Sequence, residues 1–443
     1  MRKALAIGLL LLGGLSASAA HAGPAEDRLA AAVRGNDLAG LRAALAAKAN
    51  VNALLPDKST ALAWAVDRQN EEAVRLLLAA GAQARALSPD GPQPLSLACE
   101  LGNPAIVTAL LRAGADARLV RADGTSALSL CAAASTPAAV TALLERGAAV
   151  NGSNAAGQTP LMWAAMYGNT ANIAYLIKRG AQVNAADKRG FTPLFFALRG
   201  RKAAAAEALL DAKADVNAVL ADGTTVLQAA VMVGNTTFAQ HAVEHGADIR
   251  RVDKDGKQVI HLAAATGDAA FVKAVLDKGA DPNALTELPY APVAGRGAAG
   301  PVPMPVPATP LQFAARAGSV AAMKVLVAAG ARPDIKGPDG MTVAVAAAGS
   351  GRLEAMQYAY ELDPRLDVIV RGGRSLMHIA VAARGTPEPI EVIQFLVDKG
   401  APLAIPDDRK DTPGDALNRG GDQAIREFYI RLLRERGIVS ENH

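Results

Sequence analysis

A spacing of 33 residues governs this chain and limits what it can become. Pro160, in the segment Gly157-Gln158-Thr159-Pro160-Leu161-Met162-Trp163-Ala164-Ala165, serves as a marker. Equivalent positions fall at Pro94, Ala127, Pro193, Val226 and Val259 and, stepping back, at Ala61 and Arg28. Four residues beyond each marker stands a small residue: Ala32, Ala65, Ala98, Cys131, Ala164, Ala197, Ala230 and Ala263. The phase resumes at Pro310, Val343 and Leu376, with Ala314, Ala347 and Ala380 four residues on, and returns loosely at Pro413, making twelve repeats. A fixed period of this length marks a stacked array, in which no repeat buries its apolar face alone. The chain is 51% hydrophobic yet only 4% aromatic. Alanine-rich sequence of this kind suits many small interfaces better than one deep core.

Each repeat has the same internal logic, seen most clearly in the fifth. Thr159 can cap a helix whose first position, Pro160, needs no amide hydrogen. Ala164 and Ala165 allow close approach of a second helix, and Gly168 ends the first. Ile173, Leu176 and Ile177 give the second helix an apolar face. Gly180 can close it in the left-handed conformation, and Asn184 to Gly190 makes a polar turn into the next repeat. Gly-Ala-x-x-Asn recurs as Gly147-Ala148-Ala149-Val150-Asn151, Gly180-Ala181-Gln182-Val183-Asn184 and Gly279-Ala280-Asp281-Pro282-Asn283.

With Asp187-x-x-Gly190-x-Thr192-Pro193-Leu194 and the small pair Ala164-Ala165 followed by Gly168-Asn169, the pattern resembles the ankyrin repeat over roughly residues 25 to 436. The resemblance implies an all-α repeat solenoid: two antiparallel helices per repeat, a β-hairpin-like finger between repeats, and partner proteins bound by the fingers and the inner face of the first helices. It implies next to nothing about which partner. His261 and His378, two residues past the marker, occupy the place of the family's usual histidine, whose ring ties finger to helix.

The ends and interruptions complete the layout. Arg2 and Lys3, the apolar run Ala4 to Leu15 and the small residues through Ala20-x-Ala22 form a signal peptide over 1–22, cut after Ala22. The run falls short of the roughly 20 residues of a membrane-spanning helix. A soluble periplasmic or secreted protein is therefore expected, with no integral membrane association. The array should fill 23–436, leaving a tail at 437–443 and no room for a separate catalytic domain. Polar cap repeats are expected at both ends. An excess of 18 residues between Val259 and Pro310 places a Pro- and Gly-rich insertion at about 285–308. It is either a tolerated surface loop or a binding arm. Four further residues at Thr386-Pro387-Glu388-Pro389 are expected to lengthen a turn and do nothing else.

Chemistry is sparse. No nucleophile elbow, phosphate loop or zinc-protease motif occurs, no catalytic residue or cofactor is assigned, and an enzyme hidden in the array is the least favoured reading. His241 and His245 sit at i and i+4, but two imidazoles without a third ligand make a weak metal site, so no metal is assigned. Cys99 and Cys131 occupy nearly equivalent buried positions on neighbouring first helices. Such helices pack at roughly 8–10 Å, whereas a bridge needs α-carbons within about 7 Å, so both cysteines are expected to stay unpaired.

The formal charge of +4 becomes +2 once Arg2 and Lys3 are removed, which argues little for nucleic acid, and the aromatic interleaving used for single strands is absent. The charge is uneven, however. Lys178, Arg179, Lys188, Arg189, Arg199, Arg201 and Lys202 stand against Asp187 alone. This is either a solvated surface or a patch for an acidic partner. By resemblance, positions six and seven past the marker face the inner groove, which selects Met166, Tyr167, Arg199 and Met232. Finger tips add Lys188, Arg189, Phe191, Lys254 and Lys257. Aromatic, arginine and methionine side chains are enriched at interfaces, so the partner site is expected on repeats five to eight of a monomeric scaffold. A secreted effector acting on a foreign cell would use the same chemistry at a different address.

Overall fold

A computed structural model describes residues 24–85, 91–253, 256–287, 307–337, 339–383, 386–418 and 422–438. The expected signal peptide, Lys254, residues 288–306 of the expected insertion, and the last five residues of the tail lie outside the described residues. The described chain forms 24 helices, two for each of the twelve repeats, running from Pro24–Arg34 to Gln423–Glu435. Strand is confined, among the described residues, to the pair Ile369–Val370 and Arg374–Ser375 and to two isolated bridges, Val120 with Ser126 and Val219 with Thr225. The fold is an all-α repeat solenoid.

Capping explains where the helices start. Thr60, Thr225, Thr309 and Thr342 cap first helices by accepting a backbone N–H three residues on. Several second helices carry a side-chain cap of their own. Asp37, Asn70, Asn103, Asn169, Asn235 and Asp268 fall on the 33-residue period and accept amides of the following turn. Each satisfies orphan donors of a helix about two turns long, too short to stand without caps and packing.

The chain divides into two compact units, residues 1–164 with 174–181 and residues 165–173 with 182–443. Within each unit, first helices pack on the first helices of the next repeat, and second on second. The core is thin and layered. In the first unit Leu62, Val66, Leu95, Leu128 and Leu143 are fully buried; in the second, Phe195, Phe238, Phe271, Met323 and Tyr429 are. The first repeat presents its charges as expected, but Ala25, Ala31, Ala43 and Ala47 line a shallow groove among them.

The asparagine that ends Gly-Ala-x-x-Asn, or Lys-Ala-x-x-Asn in the case of Asn52 and Asn217, stitches repeats together. The Nδ2 of Asn217 donates to the Gly246 carbonyl at 3.1 Å, and its Oδ1 accepts the Asp248 N–H at 2.7 Å. Asn52 makes the same pair with Gly81 and Gln83 in the first unit. Asn283 makes it with Gly330 at 3.0 Å and Arg332 at 2.7 Å, over separations of 47 and 49 residues in place of 29 and 31. The difference equals the 18-residue excess, so repeat nine docks on repeat eight in the ordinary register. Thr286 and Ala308 close the base of the insertion with two hydrogen bonds of 3.1 and 3.0 Å.

Two expectations are corrected. Cys99 and Cys131 form a disulfide. Their α-carbons lie 4.3 Å apart, far closer than average helix spacing allows. Small residues are the cause. Gly102, at the end of the first helix of repeat three (Pro94–Leu101), presses on the Ala134 carbonyl, which a β-carbon there would meet at 2.5 Å. Both sulfurs are fully buried where that helix meets the first helix of repeat four (Ala127–Ala134). The second correction concerns Glu388, which does more than lengthen a turn. Its carboxylate accepts the Leu353 N–H at 2.9 Å and caps the second helix of the preceding repeat, while its own N–H donates to the Gly351 carbonyl at 2.8 Å.

Candidate partner-binding site

The site is built on turns that fold themselves. In the finger before repeat six, Asp187 is buried and its Oδ1 accepts the N–H groups of Arg189 and Phe191, both at 2.9 Å. Gly190, at φ 83°, lets the chain reverse, as glycine does where a left-handed residue is needed. The one carboxylate of the basic stretch is thereby committed to its own turn, and Lys188 and Arg189 are left exposed at the tip. Asp253 builds the next-but-one finger in the same way: its Oδ1 accepts the Lys257 N–H at 2.8 Å, and its N–H donates to the Lys257 carbonyl at 2.9 Å.

Histidine fastens fingers to helices, as the family resemblance implied. His261 Nδ1 accepts the Gln258 N–H at 3.1 Å and Nε2–H donates to the Ala284 carbonyl at 2.9 Å. His378 does the same between Ser375 and the Asp411 carbonyl. Burial holds the His261 imidazole below its ordinary pKa, in keeping with a neutral ring that accepts on one nitrogen and donates on the other. Repeat nine uses glutamine in this role. Gln312 Oε1 accepts the Thr309 N–H at 3.0 Å, and its Nε2 donates to the Ile335 and Met341 carbonyls at 3.1 and 2.9 Å.

The structure distributes the expected contact residues unevenly. Tyr167 is 60% exposed and Met232 78%, both near the ends of first helices, whereas Met166 is half-buried. Arg199 is exposed at the end of the first helix of repeat six (Pro193–Arg199). Phe191 departs from the expectation of a solvent-facing side chain. It is half-buried, its ring 6.0 Å from those of Phe195 and Phe196. The Arg189 and Arg199 guanidinium groups lie 5.5 and 5.8 Å from its centroid. Phe191 thus acts as a pedestal for two arginines, a cation–π arrangement that keeps their charge at the surface. Lys188, Arg189 and Arg199 enter no ion pair among the described residues.

Lys202 also belongs to this surface, because its stem lies over Gly168 beside Tyr167. Gly200 has no side chain where the Met166 carbonyl approaches. Lys178 and Arg179 belong to the other compact unit, where Arg179 donates to the Tyr175 hydroxyl at 2.7 Å. His241, weighed as half of a metal pair, has Nδ1 3.0 Å from Glu207. No group of three metal-ligating side chains occurs among the described residues.

A family model for ankyrin repeats, built as three copies, matches residues 29–121, 95–187, 128–220, 202–286 and 309–407. The chain belongs to the ankyrin-repeat family, whose members generally mediate protein–protein interactions and are generally not catalysts. No curated protein matches it closely enough to count as a relative. The matched segments stop at 286 and restart at 309, the two positions between which the insertion lies.

Proposed function

We propose that this chain is an exported, monomeric scaffold that binds an acidic partner protein through the fingers and first-helix ends of repeats five to eight, without catalysis. One observation carries the reading. Large apolar side chains, Tyr167 and Met232, stand exposed in the same run of repeats five to seven as Arg189 and Arg199, which enter no ion pair among the described residues, and these residue types are enriched at interfaces. Export is supported by the leader-like residues at the start and by the buried disulfide, which persists chiefly in oxidising compartments. No helix among the described residues is long and apolar enough to cross a membrane.

The test is a pull-down from periplasmic extract with the exported chain, followed by titration of the recovered partner. Replacing Tyr167, Arg199 and Met232 together with alanine should weaken binding by more than about tenfold, because interface hot spots commonly exceed about 1.4 kcal/mol. Phe191 is left intact because it supports its neighbours. Leu161→Ala is the folding control and should destabilise by about 2–5 kcal/mol through a buried cavity. Undiminished binding by the triple variant, with loss of binding on deletion of residues 288–306, would move the site to the insertion. Amino-terminal sequencing tests export: the mature chain should begin near Gly23, and intact Met1 in a membrane fraction would overturn it.

A further inference from the structure

Repeats nine to eleven hold a cavity of about 200 Å³. Arg316 ends the first helix of repeat nine (Pro310–Arg316) and forms one wall. Arg371 and Arg374 come from the short hairpin of repeat eleven, in which Val370 pairs with Arg374. The Arg371 N–H donates to the Asp339 carbonyl at 2.7 Å and fixes that hairpin against the preceding finger. Met341 and Ile379, both half-buried, supply apolar wall.

Gly349 makes the opening. It lies in the first helix of repeat ten (Val343–Ser350), six residues past the marker Val343. Repeats five, six, seven and nine carry Met166, Arg199, Met232 and Arg316 at that position. A β-carbon at 349 would meet Ile379 Cγ2 at 3.5 Å, an ordinary contact, and no left-handed backbone demands glycine there. The missing side chain therefore leaves room that the backbone does not require.

Size and charge define the occupant. Small-molecule sites usually span roughly 300–1,000 Å³, so this cavity suits one side chain better than a cofactor. Three arginines and one aspartate line it, and the Asp339 Oδ1 already accepts the Met341 N–H at 3.0 Å. None of the three arginines is ion-paired among the described residues. Guanidinium groups bind carboxylates in a planar, two-pronged manner.

We propose that this pocket receives a glutamate side chain from an extended acidic segment of a partner protein. Arg316, Arg371 and Arg374 hold the carboxylate, and Met341 and Ile379 cover its methylene stem. The proposal rests on the partner-binding reading and adds a second, separately testable contact.

The probe is a fluorescein-labelled decaglutamate peptide, titrated into the full exported chain and read by anisotropy, with decalysine and inorganic phosphate as comparisons. Arg371→Ala with Arg374→Ala should weaken decaglutamate binding by more than about tenfold. Gly349→Leu, which fills the cavity and leaves every charge in place, should weaken it comparably. Gly349→Ala is the milder variant if leucine compromises folding, and should weaken binding measurably less. Arg85→Ala with Arg112→Ala, exposed and outside both proposed surfaces, should leave it unchanged. The proposal is overturned if Gly349→Leu, folded by circular dichroism, binds like wild type. It is equally overturned if the Arg85 and Arg112 pair weakens binding as much as the hairpin pair, or if phosphate saturates the site while decaglutamate does not bind. Because no natural partner is used, these outcomes are independent of the pull-down result for repeats five to eight.

Discussion

Breaking the Cys99–Cys131 bridge should loosen repeats three and four selectively. The two cysteines are 32 residues apart, so the bond closes a loop of almost one repeat. Chain-entropy arguments give a loss of about 12 cal/mol/K for a loop of that length, or about 3.7 kcal/mol at 25 °C. Alanine at both positions keeps small apolar groups in the interface, so the loss should be close to the cross-link alone. In a nearest-neighbour array this energy is local. Hydrogen exchange of amides in 94–144 should accelerate by up to about 500-fold in the double alanine variant, each 1.4 kcal/mol being tenfold. Amides in repeats nine to twelve should hold their rates. The assay begins with alkylation in denaturant without reductant, where the protein should take up no label, followed by exchange mass spectrometry of both forms. Two alkylated thiols per chain would refute the pairing. Equal exchange in repeats three and four would refute the energetic argument.

Asn283→Ala removes two hydrogen bonds across the insertion and should cost about 1–2 kcal/mol, read as faster exchange confined to repeats eight and nine; an unchanged pattern would mean that helix packing alone sets the register. His261 has a pKa lowered by burial, so below about pH 6.5, the ordinary imidazole value, the unfolded chain binds a proton that the folded ring resists. Its contribution to stability is therefore present above that pH and is lost as pH falls toward the folded value. His261→Gln, which copies the work Gln312 does in repeat nine, should stay folded and flatten this acid-side decline in urea melts; an unaltered slope would assign the pH dependence to other groups.

The repeat, its two helices and the fastening histidines were legible because they depend on residues close in sequence and on a period repeated many times. Thr caps, Gly turns and Ala interfaces each act over a few positions. What escaped depends on distances between repeats. The Cys99–Cys131 pairing turns on a local squeeze by Gly102 against Ala134, which an average interhelix spacing conceals. Phe191 looked like a finger-tip aromatic, yet Phe195 and Phe196, in the first turn of the following helix, draw it inward. Glu388 reads as part of an insertion until the amide of Leu353 is brought beside it. For the candidate site, the positional rule that picked Arg199 also picks Arg316. The signal was present, but it gained meaning only when the hairpin arginines and the gap at Gly349 came together.

The hydrogen-bonded base at Thr286 and Ala308 turns one finger into a port. Residues 286 and 308 stand at neighbouring points of the array while Asn283 keeps both flanking repeats in step. Lengthening a flexible loop between fixed ends costs only about 0.6 kcal/mol for each doubling. Evolution, or a protein engineer, can therefore exchange residues 288–306 for a cargo whose own termini lie close together, such as a fluorescent reporter or a second recognition module, without retuning a single helix on either side.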